Sequence, residues 1–244
     1  MAFIIYLLQL VFYVNMLYVN CVCILKACLK KINDDLNYMQ RLMTNDMKPS
    51  VSSLICSTRK NQIFLIQLKT LMKQHLIINE TVQWLNIIFS AQLLATVIVT
   101  FAQITCELYY FNVRWQGEVI ITLDRNFLDA FLTTMVHYCM KVILIVWACE
   151  TGKNQAQEIG TTIYDVLNST RDMQIKSELQ LFCLQILHCK NTFSTKGLAM
   201  DATLLAAMVG GITTYTLIMI QFLITAHSCD ETFGISITNN SRRN

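Results

Sequence analysis

Proline, glycine and charged residues are all scarce in this sequence. Its 244 residues include one proline and seven glycines, and 14% of them are charged, against about 25% in ordinary globular domains. So few turn-forming residues exclude a soluble β-sandwich, a β-barrel and a doubly wound α/β sheet, which all need many short connections. The 54% share of hydrophobic residues excludes intrinsic disorder. The net charge of +3 is too small to indicate a nucleic-acid surface, so no nucleic-acid partner is expected.

The sequence also lacks the motifs of nucleotide-binding and metal-dependent enzymes. It contains no G-x-G-x-x-G, no G-x-x-x-x-G-K-[ST] and no H-E-x-x-H, and its four histidines fall on separate segments. Cys183, His188 and Cys189 lie close together, but a metal site normally needs a fourth ligand. Most of the ten cysteines lie in or beside apolar runs, where cysteine acts as a small buried hydrophobic residue. We therefore predict no enzymatic activity, no metal and no cofactor.

Four apolar runs are long enough to cross a bilayer, which needs about 20 residues in helical form. The first run could be a secretory signal peptide, but it has no basic start and is too long for one. The sequence thus predicts an all-α, multi-pass protein of the cell membrane, in contact with membrane lipid. Its predicted segments are a transmembrane helix (1–29), a cytoplasmic helical connection (30–80), a transmembrane helix (81–106), an extracellular loop (107–126), a transmembrane helix (127–149), a cytoplasmic helical connection (150–197), a pore-type transmembrane helix (198–226) and an extracellular tail (227–244).

The basic residues predict the orientation of these helices. Connection 30–80 carries eight lysines and arginines and connection 150–197 carries five, whereas loop 107–126 carries two. Because cytoplasmic loops are enriched in basic residues, both connections are predicted to lie in the cytoplasm and both chain ends outside. An outside start without a signal peptide suggests further helices upstream, and a reverse signal-anchor is the alternative.

The two cytoplasmic connections carry apolar residues at helical spacing. Because 79–86 contains no Gly or Pro, the second of these helices is predicted to continue into the membrane run that follows. The apolar faces need a partner, and helix pairing within one subunit and an oligomerisation collar explain them equally well. The positions concerned are Leu36, Met39, Met43, Phe64, Leu65, Leu68, Leu71, Met72, Leu76, Ile159, Ile163, Val166, Leu167, Leu179, Phe182, Ile186 and Leu187.

The third apolar run carries a polar stripe. Asp129, Thr133, His137 and Lys141 follow one another at i+4, so they share one side of a helix. Ionisable groups in a membrane cost about 2.5 kcal/mol or more unless they face protein or water. One interpretation is a face that lines a cavity, with Asp129, Thr133 and His137 as ligand-pocket candidates. The other is hydrogen bonding between helices, with Lys141 snorkelling inward.

The fourth apolar run carries a stripe of small and polar residues. Ala207, Gly211, Thr214, Gln221 and Thr225 return close to one face, because steps of three, four and seven residues nearly complete whole turns. Small residues let helices approach each other, so packing alone explains part of this stripe. A pore-lining role requires several copies of the helix around an axis and hence an oligomer.

The end of the fourth run resembles a known family. Thr214 and Tyr215, five further residues, then Gln221 and Phe222 resemble the signature that closes the last membrane helix of insect gustatory receptors. In that signature Thr-Tyr and Gln-Phe flank five apolar residues, and Thr216 departs from it by carrying a hydroxyl. The resemblance covers the layout of the whole chain and is specific from about residue 147 onward.

This resemblance implies that the four runs correspond to the last four of seven helices. Gustatory receptors are tetrameric, ligand-gated, nonselective cation channels for contact chemosensation, and the last helix of each subunit lines the pore. By resemblance, Thr214, Tyr215, Gln221 and Phe222 are pore and gate residues. The implied partners are a small-molecule tastant and other gustatory receptor subunits in a homo- or hetero-tetramer. The alternative is a four-helix membrane scaffold or transporter fragment without channel activity.

Overall fold

The computed structural model describes residues 2–45, 54–116, 125–170, 172–189, 193–195 and 198–241. Four helices in these ranges are long and apolar enough to cross a membrane. The predicted all-α fold with four transmembrane helices and helical extensions is therefore confirmed. The helices are α1 (Ala2–Asn45), α2 (Leu54–Gln116), α3 (Arg125–Ser169), α4 (Met173–His188) and α5 (Ala202–Ser241).

The long helices continue wherever the sequence contains no helix breaker. α2 passes through 79–86 without interruption, as the lack of Gly and Pro there predicted. Its last residue, Gln116, is followed in the sequence by Gly117, a residue type favoured just after helix C-termini. Threonine hydroxyls donate to carbonyls one turn earlier, for example Thr105 to Phe101 at 2.9 Å. These bonds satisfy hydroxyl groups that lipid tails cannot.

Residue contacts divide the chain into two units, the first made of 1–93 and 144–201 and the second of 94–143 and 202–244. In the first unit α1 and α3 lie side by side and run in the same direction. Tyr18 Oη lies 3.2 Å from Cys149 Sγ, and Thr162 Oγ1 donates to Asn33 Oδ1 at 2.6 Å. These buried polar pairs join specific positions of α1 and α3, and so give the two helices a defined register.

Also in the first unit, α4 lies along the first part of α2 and runs parallel to it. Asn61 Nδ2 donates to Asp172 Oδ2 at 2.7 Å at the start of α4, and Gln185 Nε2 donates to the carbonyl of Met72 at 2.9 Å near its end. The face of α4 that this pairing covers contains Ile175, Leu179 and Phe182, all buried. Helix pairing within one chain, one of the two explanations that the sequence left open, therefore occurs for this face. Three leucines lie exposed on α4: Leu181, Leu184 and Leu187.

Two residues of the predicted apolar stripes, Leu187 and Leu76, are not covered within the chain. Leu187 is 75% exposed and Leu76 is 41% exposed. Each lies at the edge of a stripe that was traced by spacing alone, and a shift of one position turns a side chain by about 100°.

A short β-hairpin that the sequence did not predict precedes α5. It pairs β1 (Ser194–Thr195) with β2 (Leu198–Ala199) in antiparallel orientation. Phe193, immediately before β1, is buried, and a Cβ added to Gly152 of α3 would lie 2.8 Å from its ring. The lack of a side chain at Gly152 thus lets Phe193 pack against α3 and hold the segment that leads to α5.

The second unit contains the close contact between α2 and α5. The ring of Phe101 on α2 lies 2.9 Å from the position that a Cβ on Gly211 would occupy. Helix packing therefore explains this small residue. Gly210, the preceding residue in the sequence, differs from Gly211. Nothing among the described residues lies within 4 Å of a Cβ added to Gly210, so this position faces open space.

Candidate functional site

A cavity of about 410 Å³ lies between α2 and α3 in the second unit. Its volume falls in the range that small-molecule sites occupy. The cavity is lined by Gln103, Cys106, Glu107 and Tyr110 of α2 and by Phe127, Ala130, Phe131, Thr134 and Tyr138 of α3.

Helical spacing explains why these residues share the cavity. The α2 residues recur at steps of three and four, and so do those of α3, which places each set on one helix face. The rings of Phe111 and Phe131 stack at 4.7 Å between centroids and hold the two helices together beside the cavity. The lining is therefore built from one stripe of each helix.

Aromatic rings at the cavity carry cations on their faces. Arg114 Cζ lies 4.2 Å from the ring centroid of Phe127, and Lys141 Nζ lies 5.5 Å from that of Tyr138. Tyr110 meets Phe127 edge to face at 6.2 Å. Both cations contact rings that line the cavity, although neither cation lines it itself.

The described lining combines apolar and aromatic surface with the polar groups of Gln103, Glu107, Tyr110, Thr134 and Tyr138. Among the nine described lining residues, Glu107 is the one carboxyl group, and none is a lysine, arginine or histidine. The buried Oε1 of Gln103 has no hydrogen-bond partner in the described part of the chain. The hydroxyl of Thr134 already donates to the carbonyl of Ala130 at 2.8 Å. The cavity is thus mostly apolar, with one acidic group.

The structure places the predicted ligand-pocket residues beside this cavity, on a neighbouring face of α3. Asp129, Thr133 and His137 are all exposed, and none of them is among the lining residues. Thr133 Oγ1 donates to the carbonyl of Asp129 at 2.7 Å. Lys141, the fourth member of the stripe, is buried. A ligand role for the three exposed residues stays a prediction.

Sequence reasoning missed Glu107 and Gln103, although a signal for them was present. The run from 81 to 106 is uncharged, and Glu107 is the first charge after it. Gln103 lies one turn earlier on the same helix face. The sequence therefore contained polar residues on one face at the end of an apolar helix and an aromatic stripe on α3. Whether these two faces contact each other depends on the register between the helices.

All four predicted pore and gate residues lie exposed on α5. Thr214 and Gln221 share one face, and Phe222 is 73% exposed. Thr214 Oγ1 donates to the carbonyl of Gly210 at 2.8 Å, which satisfies the hydroxyl within the helix. This face of α5 therefore presents an amide and hydroxyl groups on its surface, and its pore role stays a prediction.

Tyr215 and Thr216 make different contacts. The ring of Tyr215 meets that of Phe101 edge to face, with centroids 5.9 Å apart, so the fourth predicted pore residue packs partly on α2. Thr216, the departure from the family signature, is buried, and its hydroxyl has no hydrogen-bond partner in the described part of the chain. An apolar residue would suit that position, in agreement with the family pattern.

The described residues offer no metal site. Within those ranges, no three His, Cys, Asp or Glu side chains are grouped so that they could hold a metal ion. Burial raises the pKa of the Cys183 and Cys189 thiols, which disfavours the thiolate form that a metal would bind.

Comparison with known proteins identifies the family. Residues 1–225 match the family model described as 7tm chemosensory receptor. The chain is 29% identical over 184 residues to the Drosophila melanogaster protein named gustatory receptor 28b, a match that covers 70% of this chain and 38% of that protein. It is 28% identical over 210 residues to gustatory receptor 28a of the same organism, covering 82% and 44%. The chain spans less than half the length of these curated relatives.

A solved structure shows the same fold. The insect olfactory receptor OR5 from Machilis hrabei, in complex with eugenol, matches with a TM-score of 0.55 over 88% of this chain and 68% of that one, at 10% sequence identity. The family match spans all four transmembrane helices and the signature of α5. The resemblance to insect gustatory receptors is thereby confirmed, and this multi-pass protein of the cell membrane belongs to the insect 7tm chemosensory receptor family.

Proposed function

We propose that this chain is a gustatory receptor subunit that assembles as a homo- or hetero-tetramer into a ligand-gated, nonselective cation channel for contact chemosensation. The observation that carries the proposal is the exposed polar face of α5, which bears Thr214 and Gln221 in a helix that is otherwise mainly apolar. The Thr214 hydroxyl is satisfied within the helix, but the amide of the exposed Gln221 is stable at membrane depth where it meets water or protein. A central aqueous pore surrounded by several copies of α5 supplies that environment.

The geometry of α5 supports a gate at its Gln-Phe pair. Gln221 lies seven residues beyond Thr214, so the two differ by about 20° around the helix. Four copies around an axis would form a ring of four amides near the outer mouth. Phe222, about 100° further round, would form a hydrophobic edge of the constriction. Gly210 lies on the same face, where nothing described is within 4 Å of its Cβ position.

The α2–α3 cavity supports a ligand-binding role within the same unit. α2 supplies one wall of the cavity through Gln103 and Glu107, and its Phe101, half a turn away from Gln103, packs on Gly211 and Tyr215 of α5. A ligand that binds one arrangement of α2 more tightly than another would shift the population of α5 positions. We therefore assign the tastant to this cavity.

Electrophysiology with matched α5 variants tests the channel. The longest reading frame that the transcript encodes is expressed in cells, and surface labelling is recorded beside whole-cell current. Basal leak is measured, together with the response to organic cations, sugars and neutral aromatic compounds. Gln221→Ala and Phe222→Ala should alter the leak or the evoked current at normal surface expression, since Ala preserves the helix. Met219→Ala, about 200° from Gln221, is the control and should leave both unchanged.

Two results would count against this proposal. Unchanged currents in both Gln221→Ala and Phe222→Ala would refute the pore assignment and leave the face as a packing surface. Normal surface expression with no current, whether alone or with a second gustatory receptor subunit, would favour a four-helix membrane scaffold or transporter fragment.

A further inference from the structure

We infer that the cavity between α2 and α3 selects a small organic cation, such as an amine or a quaternary ammonium, attached to an aromatic or apolar body. The inference rests on the proposed function in taking this cavity as the ligand site. Binding to the cavity is measurable on the purified chain, so it stands apart from channel activity.

The single acidic group of the lining provides the charge argument. Glu107 is half-buried, and the other eight described lining residues are uncharged. A carboxylate attracts a positive charge that lies next to it and repels a negative one. An anionic ligand would be repelled by Glu107, and no lysine, arginine or histidine is among the described lining residues to pair with it directly. The lining therefore favours cations over anions.

The aromatic rings provide the second, independent argument. Aromatic faces attract cations, and aromatic-lined sites are a common way of binding quaternary ammonium groups. The chain itself places a cation on two of these rings, with Arg114 at 4.2 Å from the Phe127 centroid and Lys141 at 5.5 Å from that of Tyr138. Four of the nine lining residues are aromatic: Tyr110, Phe127, Phe131 and Tyr138.

Arg114 and Lys141 influence this preference, and they provide a test of which ligand charge the cavity prefers. Both are positive and both lie against lining rings, so they oppose a cationic ligand by repulsion over a short distance. Arg114 is exposed and can be replaced with little risk to folding. Removing its charge should tighten the binding of a cation, whereas it should weaken the binding of an anion.

The experiment compares three probes of similar shape. The chain is purified into lipid nanodiscs, and equilibrium binding is measured for benzyltrimethylammonium, its neutral isostere neopentylbenzene and the anion phenylacetate. We expect the cation to bind about tenfold or more tightly than the other two, which corresponds to one ion pair of moderate strength. Equal binding of all three, or tighter binding of phenylacetate, would overturn the inference.

Matched variants locate the selectivity. Glu107→Gln should weaken the binding of benzyltrimethylammonium about tenfold and leave the binding of neopentylbenzene unchanged. Glu107→Asp should retain most of the affinity for the cation. Arg114→Gln should raise that affinity. Glu80→Gln, an exposed carboxylate of α2 outside the cavity, is the control. If Asp129→Asn lost cation binding while Glu107→Gln kept it, the inference would be contradicted. That result would favour the polar stripe predicted from the sequence as the ligand site.

The outcomes separate this inference from the proposed function. Cation selectivity that depends on Glu107 in a chain without current supports the inference and counts against the channel. Normal channel current, together with equal affinity for the cationic, neutral and anionic probes, overturns the inference but leaves the proposed function intact. If Glu107→Gln fails to fold, as judged by gel filtration and the melting temperature, the comparison of the three probes on the unmodified chain and on Arg114→Gln still decides.

Discussion

The ring of Phe101 on α2 occupies the space that a side chain at Gly211 on α5 would need. A Cβ added to Gly211 would lie 2.9 Å from Cε2 of Phe101 and 3.3 Å from Cζ. The same ring meets Tyr215, one turn further along α5, edge to face at 5.9 Å. One residue of α2 therefore makes both of these contacts with the helix that carries the family signature.

Replacing Gly211 by Ala should destabilise the second unit. The Phe101 ring has to move to admit a methyl group, and overpacking of this kind costs about 1–3 kcal/mol. We expect a lower melting temperature for the chain in nanodiscs. Gly210→Ala is the matched control, because its Cβ meets nothing described within 4 Å and Ala favours helix over Gly by about 1 kcal/mol. Equal losses in the two variants would show that the contact with Phe101 is unimportant.

Asp172→Ala should loosen α4 from α2. Asp172 Oδ1 accepts hydrogen bonds from the backbone N–H groups of Gln174 at 2.8 Å and Ile175 at 3.2 Å, and its Oδ2 accepts from Asn61. Loss of an N-cap costs about 0.5–2 kcal/mol, so amide hydrogen exchange along α4 should become faster. Asp165→Ala, an exposed carboxylate on α3, serves as the control.

A double-mutant cycle separates the two roles of Asp172. If the Asn61 bond contributes to docking, Asn61→Ala combined with Asp172→Ala should cost less than the sum of the single changes. If the free-energy costs of the two substitutions were strictly additive, the loss of the N-cap would explain the whole effect of Asp172→Ala.

Cysteines at Thr133 and Thr134 should differ in their protection by a cavity ligand. Thr134 lines the cavity, whereas Thr133 lies on the neighbouring exposed face. In a cysteine-free background, benzyltrimethylammonium should slow the reaction of the 134 cysteine with a water-soluble thiol reagent and leave that at 133 unchanged. Reaction at 133 without ligand would support the prediction that the polar stripe meets water. Inertness at both positions would favour helix packing for the stripe.

Glycosylation tests the predicted orientation. The acceptor sequences begin at Asn79, Asn168 and Asn239, and the predicted topology places only Asn239 outside. Asn239→Gln should abolish the mobility shift that a glycosidase produces, and Asn168→Gln should not change it. Asn168 lies exposed near the end of α3, so it would be accessible to glycosylation if that end of the helix were outside the cell. A glycan on Asn168 would reverse the assigned orientation.

The helices and the family could be predicted from the sequence because both depend on local pattern. A lack of Gly and Pro over 79–86 is sufficient for α2 to continue, since nothing in the segment interrupts its backbone hydrogen bonds. The signature of α5 is likewise contained in nine consecutive residues, 214–222. Uncharged runs of membrane length identify the transmembrane helices for the same reason.

The candidate site was decided by the tertiary structure. Periodicity grouped Asp129, Thr133 and His137 on one face of α3, but it carries no information on which face meets α2. The cavity uses the adjacent face with Thr134 and Tyr138, one position and about 100° away. Glu107 joins that face only because the register of α2 against α3 brings it there, and register depends on how side chains from distant parts of the chain pack together.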